Sequence, residues 1–195
     1  MMQARLARGS EMAILIGVSG SLRRGSFNTA LLRAAATLVP PGSTLDVRTL
    51  HGIPLYDGDL EAAGGIPSEV ATLKEAIVAA DGLILATPEY NNGIPGVFKN
   101  AIDWLSRPAA DIKRVFGAKP VALAGVSPGA FGTVMSQSAW LPVLRALGAN
   151  LWTGGRLVVP RGGSVFDADG AMMDDAMRQR VRDFLAGFAA FASRA

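Results

Sequence analysis

Cysteine is absent from the 195-residue chain. That excludes disulfides, thiolate catalysis and cysteine metal sites, and it is compatible with a cytoplasmic location. Histidine occurs once, as His51, and lacks ligand partners at metal-site spacing. Charge is sparse, at 18% of residues, with a formal net charge of +3 and a pI near 9.7. The positive charge is arginine-heavy and scattered along the chain, as at Arg5, Arg8, Arg23, Arg24, Arg107, Arg114, Arg156 and Arg161. No dense basic stripe with interleaved aromatics forms, which argues against nucleic acid and suits small anionic ligands. No apolar run reaches the roughly 18 residues a membrane helix needs. Met1 to Glu11 lacks the long apolar core of a signal peptide and reads as a frayed extension before a domain spanning residues 12–195.

What the chain does have is apolar surface to bury. Half the residues are hydrophobic, and 23 glycines suit tight turns between elements. One domain with a substantial core fits this length. Met12 to Val18 is an apolar run ending in a Gly/Ser cluster, which predicts a buried strand. Gly82 to Thr87 and Pro120 to Gly125 read the same way, Thr44 to Leu50 alternates as a strand does, and Leu151 to Val159 is a fifth strand interrupted by Gly154-Gly155. Helices are expected over Phe27 to Leu38, Ser68 to Ala80 with Ser68 as its cap, Val97 to Leu105, Gly132 to Leu147 and Asp174 to Phe191. Pro142 is expected to kink or divide the fourth of these. His51 to Gly65 reads as loop. Five alternations, with three strands apolar on both faces, predict an α/β fold with a parallel sheet covered on both sides.

In such sheets ligands bind beyond the carboxyl ends of the strands. Three loops therefore matter: Ser19 to Ser26, Pro88 to Gly96 and Val126 to Gly132. The first continues as Ser19-Gly20-Ser21-Leu22-Arg23-Arg24-Gly25-Ser26-Phe27-Asn28-Thr29. It sets hydroxyls and arginines where a helix begins and offers unpaired N–H groups. That chemistry suits a phosphate dianion. The Gly-Lys-Ser/Thr of a Walker loop is missing, and so is G-x-G-x-x-G, with Arg48-Thr49 standing where an acidic ribose partner belongs. A monophosphate is favoured over a pyrophosphate. The bland reading, a helix cap plus turn, uses one hydroxyl where this loop offers four.

The second loop, Thr87 to Gly96, is stiffened by Pro88 and Pro95, and Asn92-Gly93 permits positive φ. Stiff backbone with exposed amides suits edge-on bonding to a flat heteroaromatic ring, with Tyr90 and Asn91 packing on or bonding to it.

Gly20-Ser21-Leu22-Arg23 with Ser26 and Asn28, then Pro88-Glu89-Tyr90-Asn91, then Lys99-Asn100-Ala101-Ile102-Asp103-Trp104, closely resemble the NADPH-dependent FMN reductases. That family includes quinone, chromate and azo-dye reductases, and the likeness runs from Met12 to Phe191. It implies a flavodoxin-like, doubly wound, five-stranded parallel sheet of order 2-1-3-4-5, and a homodimer or homotetramer. It implies bound FMN and NADPH or NADH as co-substrate, with ping-pong electron transfer to a small-molecule acceptor. Ser21, Arg23, Ser26 and Asn28 would hold the FMN phosphate, leaving Ser19 and Arg24 as bystanders. Pro88, Glu89, Tyr90 and Asn91 would border the ribityl chain and isoalloxazine, and Ser127 and Gly129 the pyrimidine side. Asn92-Gly93 departs from the commonest family form, which bears on substrate preference. No side chain is assigned a catalytic acid or base role, and no metal is expected. The alternative is a flavodoxin-type electron carrier, but such carriers are typically acidic.

Other motifs compete. Gly125-Val126-Ser127-Pro128-Gly129 matches the hydrolase elbow G-x-S-x-G, but the oxyanion hole needs an N–H that Pro128 lacks, and His51 precedes the serine. Asp167-Ala168-Asp169-Gly170 hints at calcium without the remaining ligands, so a turn is expected. Phe98, Ile102 and Trp104, with Asp103 beside them, and Phe184, Phe188 and Phe191, are spaced as packed helix faces.

Overall fold

In a computed structural model, which describes residues 12–195, apolar runs and helices alternate as their periodicity requires. The extension predicted for residues 1–11 lies outside the described residues. Strand β1 (Ile14–Ser19) leads into helix α1 (Phe27–Ala36), and strand β2 (Thr44–Arg48) follows. Helices α2 (Gly58–Gly64) and α3 (Ser68–Ala79) precede β3 (Gly82–Ala86), which leads into α4 (Gly96–Leu105). Strand β4 (Pro120–Val126) runs into α5 (Val134–Ala146); β5 (Asn150–Leu151), β6 (Leu157–Val159) and α6 (Asp175–Ala192) complete the main architecture.

The sheet order is β2-β1-β3-β4-β5, with β6 also on β4, and every strand pair is parallel. This is the flavodoxin-like order expected from sequence. The fifth strand is two short pieces on one neighbour, Pro120↔Asn150 and Ala124↔Leu157, separated at the Gly154-Gly155 interruption. Period-two alternation splits the core in two. Leu15, Ile84, Ala122 and Ala124 pack with α1 and the α6 residues Phe184 and Phe188. Ile16, Leu83, Leu85 and Leu123 pack on the other face with Phe98, Trp104 and Trp140. All three expected apolar strands are thus buried on both faces.

Three local expectations are corrected. Residues 58–64 are helical, not loop. None of them is buried, so no hydrophobic stripe marks them; Asp57 starts the helix by accepting from the Asp59 N–H at 2.9 Å. Ser68 does not cap α3: Pro67 occupies that position, and the Ser68 hydroxyl donates to Glu69. Pro142 does not divide α5, which runs unbroken from Val134 to Ala146.

Candidate active site

Parallel register brings the loops to one edge. Ser19 pairs with Ala86 and Ala86 with Ala124, so β1 and β3 end at one level and β4 ends just beyond it, at Val126. Gly20 turns immediately: its N–H donates to the Ala86 carbonyl at 2.9 Å, and a Cβ there would lie 2.1 Å from the Phe98 ring. Only glycine lets the loop pass that close to α4. Ser21 is buried and its hydroxyl accepts from the Arg23 N–H at 3.2 Å. Ser26 is the N-cap of α1, accepting from the Thr29 N–H at 3.3 Å. The N–H groups of Phe27 and Asn28, in the first turn, have no intrahelical acceptor. Ser19, fully buried, is consumed by the Thr29 hydroxyl at 2.8 Å.

Asn28 reaches across to β4. Its Nδ2 donates to the Val126 carbonyl and its Oδ1 accepts from the Val126 N–H, both at 2.9 Å. The reason lies in the sheet. Pairing of β3 with β4 ends at Ala86↔Ala124, and the continued register sets Pro88, which has no N–H, opposite Val126. The Asn28 amide stands in for the missing strand. One Nδ2 hydrogen is left for a ligand.

The loop after β3 closes as a tight turn. Tyr90 and Gly93 exchange backbone bonds at 3.2 and 3.0 Å, and the residues between them, Asn91 and Asn92, have φ of 50° and 60°. The positive φ expected for Asn92-Gly93 therefore holds at Asn92 but falls on Asn91 in place of Gly93, and asparagine tolerates it through its short polar side chain. The Glu89 carboxylate accepts from the Ser136 N–H at 3.0 Å, at the positive end of α5. Below it, the buried Thr87 hydroxyl donates to the Pro88 carbonyl and accepts from the Trp140 indole N–H at 3.1 Å, so Ser136, 2.8 Å away, donates to it. At the end of β4 a Cβ on Gly125 would meet the Thr133 hydroxyl at 2.1 Å and the Thr87 carbonyl at 2.3 Å, so the loop depends on glycine there.

Ser21, Arg23, Ser26, Asn28, Pro88, Glu89, Tyr90 and Ser127 line one crevice, with Phe27, Val126 and Pro128. Asn91 and Gly129, the other two expected site residues, stand outside that lining. The donor set fits a phosphomonoester: hydroxyls at Ser21 and Ser26, the Arg23 guanidinium, an amide hydrogen of Asn28 and a helix N-terminus.

The sequence pattern of the NADPH-dependent FMN reductases matches residues 12–163. The chain belongs to the NADPH-dependent FMN reductase family. It is accordingly an FMN- and NAD(P)H-dependent reductase. An NAD(P)H-dependent FMN reductase from Pseudomonas aeruginosa is 42% identical over 171 residues, 88% of this chain and 90% of that one. A 2-hydroxy-1,4-benzoquinone reductase from a Burkholderia species is 39% identical over 181 residues, 92% and 97% of the two chains. FerB, a flavoenzyme NAD(P)H:(acceptor) oxidoreductase from Paracoccus denitrificans, superposes with a TM-score of 0.81 at 29% identity, covering 94% of this chain and 98% of that one.

In this FMN reductase, sequence reasoning missed the supports behind the site: Thr87, Ser136 and Trp140, and the Glu89 clamp onto α5. The Thr87 partners lie 49 and 53 positions away, so no local signal announces them. A second support is the segment before α3. The Trp104 indole N–H and the Asn100 amide both donate to the Pro54 carbonyl, and Tyr56 packs edge-on to Trp104 at 4.9 Å. The Glu61 carboxylate accepts from Tyr56 and from Arg107, whose guanidinium chiefly holds the carboxyl below its ordinary range. His51 behaves as a loop residue. Its Nε2 donates to the Leu22 carbonyl at 3.1 Å, which leaves Nδ1 to accept from Thr49.

The competing motifs find structural roles. Asp167 forms a turn, accepting from the N–H groups of Asp169 and Ala171. Phe98, Ile102 and Trp104 are core, while Asp103 pairs with Lys99 at 2.7 Å. Among the described residues no cluster of metal-ligating side chains occurs, and no helix is long and apolar enough to cross a membrane.

Proposed function

We propose that this FMN reductase takes electrons from NADPH or NADH and passes them, in a ping-pong sequence, to quinones, azo compounds, chromate-like oxyanions or free flavin. The observation that carries the reading is the convergence of three loops on one crevice, a phosphate-type donor set at one end and a stiff proline-bounded turn at the other. Ser21, Arg23, Ser26 and Asn28 hold the FMN phosphate. Pro88, Glu89, Tyr90 and Asn91 border the ribityl chain and ring, and Ser127 and Gly129 its pyrimidine side. FMN, when bound, supplies the hydride and electron chemistry. The protein's own work is to bind and orient. Ser26 and the free N–H groups of α1 fix the phosphate, Asn28 holds the first loop against β4, and Glu89 holds the second against α5. No metal and no side-chain acid or base is assigned. The names of the quinone reductase relatives support a small-molecule acceptor and turnover over simple electron carriage.

Self-association as a dimer or tetramer belongs to the same reading. Leu55 and Leu60, after β2, and Phe131 and Met135, after β4, are more than half exposed, and all four follow carboxyl ends of strands. A cytoplasmic place of action fits a cysteine-free enzyme that draws on reduced nicotinamide.

The test is direct. Purified protein should release FMN on acid treatment and oxidise NADPH with 1,4-benzoquinone, giving parallel double-reciprocal lines. A colourless protein that cannot be reconstituted with FMN would refute the reading, and intersecting lines would refute the ping-pong sequence.

A further inference from the structure

Thr87 directly follows β3. It is wholly buried with Ser136 and Trp140, and none of the three lines the crevice. A hydroxyl has one hydrogen and two lone pairs. Both lone pairs of Thr87 are taken, by the Trp140 indole N–H at 3.1 Å and by the Ser136 hydroxyl at 2.8 Å. Its hydrogen is left one acceptor, the Pro88 carbonyl at 2.9 Å. The two donors are themselves fixed. Trp140 stands edge-on to Phe98 with ring centroids 5.0 Å apart. Ser136 sits in the first turn of α5, where its N–H holds the Glu89 carboxylate.

The Pro88 carbonyl is thereby turned toward the core. In a planar trans peptide the carbonyl and the following N–H point in opposite directions. The Glu89 N–H therefore points away from the core, on a residue that lines the crevice. Among the described residues it donates to no protein group. Its neighbours differ: the Thr87 N–H donates to the Ala124 carbonyl at 2.8 Å, the Tyr90 N–H donates to the Gly93 carbonyl at 3.2 Å, and Pro88 has no N–H. Along residues 87–90, Glu89 carries the backbone donor left for a ligand. That donor is held from both sides, by Thr87 through the preceding carbonyl and by Ser136 through the Glu89 side chain.

We propose that Thr87 is a positioning residue for the flavin: by fixing the Pro88–Glu89 peptide it aims the Glu89 N–H at the bound ring and raises the ring's reduction potential. The inference rests on the FMN reading, which sets the ring beside Pro88–Asn91. Two-electron reduction adds negative charge to the ring. A donor fixed beforehand favours the more negative form without having to reorient. A peptide free to turn loses that preference.

The experiment measures the midpoint potential of bound FMN, and the Kd of oxidised and reduced FMN, in the wild type, Thr87→Val and Thr87→Ser. Valine has nearly the same shape without the hydroxyl; serine keeps the hydroxyl. Thr87→Val is expected to lose about tenfold in its preference for reduced over oxidised FMN, which for a two-electron couple lowers the potential by about 30 mV. Thr87→Ser should keep the wild-type potential. A role in packing alone would lower the Tm of Thr87→Val and leave the potential where it was, and that result would overturn the proposal. So would a potential that rises, or a serine variant that follows valine. If Thr87→Val does not fold, Ser136→Ala takes its place. It removes one of the two donors on Thr87 and keeps the backbone N–H for Glu89, so a smaller fall in potential is expected and an unchanged potential overturns the proposal. Wild-type protein that holds no flavin refutes the FMN reading and this inference with it; flavin held with an unmoved potential refutes the inference alone.

Discussion

Replacing Asn28 by alanine separates the two duties assigned to this side chain. Asn28 and Val126 are 3% and 2% exposed, and the two bonds between them are 2.9 Å long. Alanine leaves the Val126 N–H and carbonyl buried without partners. Each such group costs about 1–3 kcal/mol, so the variant should lose about 2–6 kcal/mol. For a domain of this size, about 3 kcal/mol corresponds to a fall of about 6–12 °C in Tm. The assay is thermal unfolding of the flavin-free protein, which removes the stabilisation that bound FMN lends to the folded state. A parallel titration with FMN should show weakened binding as well. A flavin-free Tm within about 2 °C of wild type would refute the claim that Asn28 replaces a missing strand. Asn28→Asp sharpens the comparison. It keeps an acceptor for the Val126 N–H but turns an oxygen toward the Val126 carbonyl and adds negative charge beside the proposed phosphate site. It should therefore weaken FMN binding more than alanine does.

Arg23→Ala should reduce FMN retention, measured as acid-released flavin per protein, far more than Arg48→Ala; Arg48 is already paired with Asp46 at 2.8 Å, and equal effects would deny Arg23 the phosphate. The Glu61 carboxyl is lowered in the folded protein, first by the Arg107 bond and then by Tyr56. A lowered carboxyl stabilises above its unfolded value, and that stabilisation is lost as pH falls through the folded one. Hydrogen-exchange protection of residues 58–64 should thus hold at neutral pH and fall on acidification below about 4.5, and Arg107→Gln should move the loss to higher pH. Protection that is indifferent to pH between 7 and 3 would contradict this.

The strands were legible because burial on both faces demands uninterrupted apolar runs, as in Gly82–Ala86 and Pro120–Val126. The loop after β1 drew the phosphate proposal from sequence because a helix start crowded with hydroxyls has few other uses. Helix α2 was not legible as a helix, since with no buried residue it carries no period. Its capping Asp57, with Asp59 and Glu61 in the first turn, was the only local sign. The turn at Asn91-Asn92 was recognised as a turn, but which residues take positive φ depends on the Tyr90–Gly93 pairing that closes it.

By itself the sequence determined the alternation of strand and helix, the order of the sheet through its family likeness, and the residue types at the site. Those properties are local: hydrophobic period, turn chemistry and short motifs. The tertiary structure alone decided that Asn28 is bound to Val126, 98 positions away, that Glu89 anchors α5, and that Ser136 and Trp140 close on Thr87. Such pairings arise where strands end close together and loops from distant parts of the chain must satisfy each other's backbone groups, and no sequence window spans that distance.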